Sequence, residues 1–279
     1  MGGTMTMSDK AAALAGICAD LKAEGDTLLE TLRGLDEEDW GRDTPAEGWT
    51  VRDQVTHLAF FDDATVLALR DRAGFLAQRE ELLALGPRFP DVVAERAGSL
   101  APDQCLDWLR RSRAELLEAY DAADPSVRLP WYGPDMGVLS SATGRLMETW
   151  AHGQDVRDSF GIPPVSTPRL RHIADIGVRT YAFSFQLHGR DVPTAPVRVE
   201  LAGPDGSEWA WGPEGADDVV VGSALDFCLV VTQRRNVLDT GLTVSGPAAQ
   251  AWMQVAQAFA GRPTEPRPAG HLATQGVAR

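Results

Sequence analysis

Apolar residues recur at helical spacing over most of the first 160 positions of the chain. Leu14, Ile17, Cys18, Leu21, Leu28, Leu29 and Leu32 mark a first helix over residues 10–35, with Gly34 near its stop. Residues 36–48 are acidic and broken by Pro45 and Gly48, so they read as a connecting loop. Thr50, with Asp53 three residues on, is a capping-box pair that opens a second helix. That helix carries Val55, Leu58, Phe60, Phe61, Ala64 and Leu67 to about residue 72. Less regular spacing over 74–99 predicts short helices parted at Gly86-Pro87 and Pro90. A third strong helix runs over 102–123 on Cys105, Leu106, Leu109, Leu116, Leu117 and Tyr120. The turn-rich loop 129–137, which holds Trp131 and Tyr132, then leads into a helix over 139–160. Four principal amphipathic helices with one irregular insertion predict an up-and-down bundle.

Beyond residue 160 the pattern changes. Residues 161–168 hold three prolines and read as a linker, followed by a helix over 169–187. Alternation over 196–203 and 206–212 predicts a strand hairpin, and 218–222 and 242–245 predict two further short strands. Helices are expected over 223–231 and 248–260. The fold class is therefore α+β: a helical bundle at 8–162, a small α+β domain at 163–265, and a disordered tail at 266–279. Trp209 and Trp211 alternate on one strand and read as domain core.

Composition narrows the partners. A formal net charge of −14 and a pI near 4.7 argue against nucleic acid and anionic membrane surfaces. No apolar run approaches the ~18–20 residues of a spanning helix. The first ten residues lack a basic-then-apolar signal, so a cytoplasmic protein is expected. Cys18, Cys105 and Cys228 are far apart and odd in number, and read as reduced core thiols. A small-molecule substrate is the remaining partner class. The apolar 169–187 helix suits either a homodimer contact or the domain junction.

The candidate chemistry lies on the fourth helix. Glu148 and His152, one turn apart, project from one face and can grip a divalent metal ion, although the same spacing serves a solvated surface couple. Only five histidines are available as further ligands. His271 is in the tail, and His172 and His188 are on the helix after the linker. His57 sits among Val55, Leu58, Phe60 and Phe61, so it faces or borders the core, as a satisfied buried histidine or as a ligand. Asp53, one turn earlier, is either its partner or a carboxylate that fixes the tautomer of a metal-bound ring.

Trp49-x-x-x-Asp53-x-x-x-His57-Leu58, followed at a distance by Glu148-x-x-x-His152, resembles the DinB-like superfamily. Within it the sequence is similar to the mycothiol-dependent maleylpyruvate isomerase type. The resemblance implies a metal-carrying four-helix bundle and a smaller α+β domain of sterol-carrier-like type. It places the metal ligands on His57, Glu148 and His152. It extends to the second domain through residues 218–227, Gln233-Arg234-Arg235 and residues 242–246.

Two neutral imidazoles and one carboxylate suit zinc by default, with iron, nickel or manganese also compatible. Such an ion lowers the pKa of bound water toward neutrality or holds a thiol as thiolate. Either route gives a nucleophile where the sequence has no serine elbow and no paired Cys/His motif. The resemblance favours a mycothiol-like thiol adding to an electrophile, with isomerisation, transfer or detoxification following. A metal-water hydrolase of a small amide or ester, or a non-enzymatic metal-stabilised binding module, are the alternatives. Arg145, three residues before Glu148, either holds a substrate carboxylate or is an exposed surface arginine. Asp155 is either a partner of a ligand or a surface acid. Trp131 walls a pocket mouth at the cofactor or staples its loop. Arg234 and Arg235 are candidates to hold an anionic substrate.

Overall fold

The computed structural model describes residues 6–270; His271 and the remainder of the expected tail lie outside the described residues. The chain divides into two compact units between Phe160 and Gly161. No helix among the described residues is long and apolar enough to cross a membrane.

The first unit is helical. α1 (Met7–Leu32) starts at a capping box between Thr6 and Asp9 and buries Leu14, Leu21, Leu28 and Leu32. It ends before Gly34, whose φ of 79° breaks the helix by entering the left-handed region. The expected loop that follows contains a single helical turn, α2 (Glu37–Trp40), capped by Asp36 and Asp39. That turn exists because it delivers Trp40, fully buried, into a core with Leu28, Leu32, Val51, Val55 and Leu58.

α3 (Val51–Arg70) opens at the expected Thr50–Asp53 capping box. α4 (Arg72–Leu83) and α5 (Phe89–Ala97) form the irregular insertion, and α6 (Pro102–Asp121) packs along α3. A two-residue ladder, β1 (Arg128–Leu129) with β2 (Met136–Gly137), pinches the loop that carries Trp131 and Tyr132. α7 (Val138–Ser159) follows and packs on α1 and α3.

The centre of this bundle is charged. Asp62 of α3 is fully buried and accepts hydrogen bonds from Nε of Arg113 at 2.6 Å and Nε of Arg145 at 3.0 Å. Arg113 Nη2 donates to Thr149 Oγ1, and Arg145 Nη2 donates to the Leu58 carbonyl. One carboxylate thus ties α3 to α6 and α7. A cavity of about 210 Å³ opens beside this network, lined by Leu28, Leu29, Leu109, Leu117, Arg113 and Thr149 among others.

The second unit is α+β. The expected 169–187 helix is two helices, α8 (Leu170–Arg179) and α9 (Tyr181–Leu187). They part at Thr180, whose hydroxyl donates to the Ile176 and Gly177 carbonyls and so satisfies the end of α8. The sheet strands are β3 (Val197–Ala202), β4 (Glu208–Trp211), β5 (Asp218–Ser223) and β6 (Thr243–Ser245), in the order β4-β3-β5-β6. β3 and β5 run parallel, and the outer pairs are antiparallel. Trp209 is buried, and Trp211 donates from Nε1 to Asp175.

α10 (Ala224–Val231) packs on α8. Their close approach depends on Gly177, where a Cβ would lie 2.8 Å from Val231 Cγ2. α11 (Pro247–Met253) is shorter than the expected 248–260. Past Met253 the chain turns, and the Gln257 amide bonds the carbonyls of Phe259 and Arg262 instead of continuing the helix. The Arg267 carbonyl accepts from Asn236, and the Gly270 amide donates to Asp239.

Candidate metal centre

Three side chains from two helices of the first unit meet. His57 comes from the second turn of α3, and Glu148 and His152 from successive turns of α7. Their ligand atoms all lie within 4.8 Å of one another. His152 Nε2 is 3.0 Å and His57 Nε2 is 3.7 Å from the same oxygen, Glu148 Oε2. The imidazole ring centroids are 4.4 Å apart. The solvated-couple alternative for Glu148 and His152 fails on burial, since only about a quarter of the Glu148 side chain is exposed and less of His152.

The surroundings set the charge states. Burial pushes the His57 pKa down to about 4, and the neighbouring His152 adds to this against the opposing pull of Glu148. Burial alone would raise Glu148, but the hydrogen bond from His152 Nε2 and the electrostatic pull of both imidazoles prevail and hold it well below the usual carboxylate range. A neutral imidazole beside an ionised carboxylate is the form in which these groups ligate a cation. The far nitrogen of His57, Nδ1, is buried with no hydrogen-bond partner. The far nitrogen of His152, Nδ1, meets Gln54 Oε1 at 2.5 Å.

Aromatic rings enclose the pair. The Trp49 indole stacks against His152 with centroids 5.9 Å apart, tilts over His57 at 5.0 Å, and is held by Nε1 donating to Asp91. Phe61, one turn after His57 on α3, contacts the His57 ring at 4.6 Å. Trp131 reaches this group indirectly, packing on Phe61 at 6.0 Å and stacking on Phe75.

The other sequence candidates fall elsewhere. The Asp53 carboxylate is used by the Thr50 cap, and His57 Nδ1 has no hydrogen-bond partner, so Asp53 does not fix the His57 tautomer. Arg145 is 4% exposed, so the surface-arginine alternative does not hold, and two of its nitrogens are committed to Asp62 and Leu58. Asp155 is fully buried and is not a surface acid. Arg234 and Arg235 lie in the second unit, just past α10, with guanidinium bonds to the Thr232 and Arg234 carbonyls. His188 bonds the Ser184 and Thr264 carbonyls in that same unit. Sequence reasoning overlooked Gln54 and Asp62. The available signal for each was a polar residue on the helical face of α3 that also carries Val51, Val55, Leu58 and Ala59.

Residues 21–157 match the family model of the mycothiol maleylpyruvate isomerase N-terminal domain. Over 246 residues the chain is 43% identical to uncharacterized proteins of two Mycobacterium tuberculosis strains, covering 88% of this chain and 95% of theirs. The chain belongs to their family, and its bundle is of the mycothiol maleylpyruvate isomerase type. A solved mycothiol-dependent maleylpyruvate isomerase is similar with a TM-score of 0.55 at 17% identity. A histidine-to-alanine mutant of that enzyme gives 0.58 at 18%. Both cover 83% of this chain and 92% of the other, and at such identity they establish the fold of the mycothiol isomerase type. Residues 193–243, which contain β3 to β5 and α10, match a model described as wyosine base formation.

Proposed function

We propose that this protein is a metal-dependent, thiol-using enzyme of isomerase or transferase type that acts on a small electrophile. The observation that carries the reading is the convergence of His57, Glu148 and His152 within 4.8 Å on a bundle of the mycothiol isomerase type. The donor set fits a divalent cation, zinc by default. His57 is held neutral, Glu148 is held ionised, and both imidazole Nε2 atoms turn toward one carboxylate oxygen. Three protein ligands leave coordination positions open, as in catalytic rather than structural sites. A divalent ion there supplies a Lewis acid that keeps a bound low-molecular-weight thiol, such as mycothiol, as thiolate near neutral pH.

The chain's own residues do the rest. Glu148 offsets one of the two charges of the ion. Trp49 and Phe61 cover the imidazole faces and exclude water from them. Trp131, joined to His57 through Phe61, is the proposed contact for the thiol cofactor. Arg145 we assign a positioning role: through Asp62 it fixes the register of α7, and hence of Glu148 one turn on, against α3. Arg234 and Arg235 remain the proposed holders of an anionic substrate group, tested by the KM of Arg234→Ala and Arg235→Ala.

Metal analysis of the purified protein and of His57→Ala, Glu148→Gln and His152→Ala tests the ligand set. Stoichiometric metal in the wild type and its loss in each variant is the expected result. Metal that survives all three substitutions removes the ligand assignment. Turnover of electrophiles with and without added thiol tests the chemistry, and ester or amide hydrolysis that ignores thiol replaces the thiol reading.

A further inference from the structure

The two histidines of the centre are held differently, and the difference can be traced atom by atom. His57 Nδ1 has no partner, whereas His152 Nδ1 faces Gln54 Oε1. The other end of the Gln54 amide, Nε2, lies 2.8 Å from Thr44 Oγ1. Thr44 Oγ1 in turn lies 2.8 Å from the backbone carbonyl of Trp49. A carbonyl oxygen can only accept, so the single hydroxyl proton of Thr44 points at Trp49. Thr44 Oγ1 must then receive from Gln54, which makes the atom facing Thr44 the amide nitrogen. The Gln54 atom facing His152 is therefore its oxygen, an acceptor, and the proton between them sits on His152 Nδ1.

We propose that Thr44 and Gln54 form a one-way hydrogen-bond relay, anchored on the Trp49 carbonyl, that holds a proton on His152 Nδ1 and so directs Nε2, which faces Glu148 Oε2 at 3.0 Å, into the centre as the nitrogen that a cation would take in exchange for a proton. Gln54 and Thr44 are positioning residues, since neither is among the three groups that face one another in the centre. The relay is rigid at both ends. Gln54 is fully buried on α3. Thr44 is fixed by its own amide donating to the Trp49 carbonyl, next to the Asp43–Thr50 bridge and the Val51-to-Arg42 backbone bond. The same loop thus orients two things at once: the Trp49 ring that stacks on His152, and the proton on that histidine's far side. An outer partner of this kind sets both ring orientation and ligand basicity.

The inference builds on the metal reading, but its first test does not need the metal. In protein labelled with 15N-histidine, wild type gives a protected Nδ1–H signal for His152, assigned by its loss in His152→Gln. The signal is present before and after zinc titration. Thr44→Val removes the acceptor on which the Gln54 amide direction depends, and Gln54→Leu removes the acceptor of the ring proton; both lose the protected signal. Thr44→Ser, which keeps the hydroxyl, retains it. Zinc affinity, measured by competition with a chromophoric chelator, weakens by about 10- to 100-fold in Thr44→Val and Gln54→Leu and stays near wild type in Thr44→Ser.

Thr44→Val sits at a half-buried loop position and carries the test if Gln54→Leu does not fold. A wild type without a protected Nδ1–H, or a folded Thr44→Val that keeps both signal and affinity, overturns the relay. A wild type that shows the signal, loses it in Thr44→Val and binds no zinc upholds the relay and overturns the metal reading.

Discussion

Asp62 is the residue on which the interior of the bundle turns, because one carboxylate with no exposure serves two buried guanidinium groups. Taking such a charge away leaves both arginines desolvated with no counter-ion, and breaking a buried pair in this way costs about 3–5 kcal/mol. Asp62→Asn is therefore expected to lower the unfolding free energy by that order in urea titration. A loss under about 1 kcal/mol would mean that Arg113 and Arg145 find other partners. His57 gives a second prediction at this scale. Its folded pKa of about 4 lies below the ordinary 6.5, so between those values the unfolded chain binds the proton and the folded chain does not. The stability of metal-free protein should be full above about pH 6.5 and fall as pH drops toward 4, by on the order of 3 kcal/mol. The depressed Glu148 adds loss of the same sign at lower pH. Urea midpoints of wild type and His57→Gln at about pH 7 and pH 5 check this: the wild type should weaken more, and equal slopes would refute it.

At the scale of elements, local rules carried the helices well and distant partners carried the rest. The Thr50–Asp53 box and the apolar spacing of α3, α6 and α7 are written in neighbouring residues, so they were legible. Glu148 and His152 were legible for the same reason, being one turn apart. The turn of α2 was not, because its cause is the burial of Trp40 against residues of α1 and α3. Nor was the break at Thr180, where a residue of ordinary helical tolerance bends its hydroxyl back onto two carbonyls. Gln54 escaped because its meaning depends on His152, 98 positions later. The capping box offers a direct test of how element and site are coupled. Thr50→Ala removes the side chain that satisfies the first turn of α3 and should cost about 1 kcal/mol of stability. Since that turn also carries Gln54 and leads into His57, the same variant should bind zinc several-fold more weakly by chelator competition. Unchanged affinity alongside the stability loss would show that the ligand end of α3 is held by its packing on α6 and α7 alone.

For the whole molecule, the decisive fact is where the interactions of the centre are closed. His57, Glu148 and His152, the relay of Thr44 and Gln54, the rings of Trp49 and Phe61, and the Asp62–Arg113–Arg145 network all precede Phe160, where the first unit ends. The core clusters around Trp40 and around Phe75 draw only on residues of that unit. A unit with its own core and its own satisfied buried charges meets the physical conditions for independent folding. Residues 6–160 expressed alone are therefore expected to unfold cooperatively in urea and to bind zinc within about threefold of the whole chain, because each tenfold change needs about 1.4 kcal/mol of lost contact. Thiol-dependent turnover of the fragment is a separate measurement, since Arg234 and Arg235 lie outside it. A fragment that folds and binds zinc but turns over no substrate would assign the metal to the first unit and place a required catalytic contribution beyond residue 160. A fragment that folds without zinc affinity would instead show that the three ligands are insufficient without the rest of the chain.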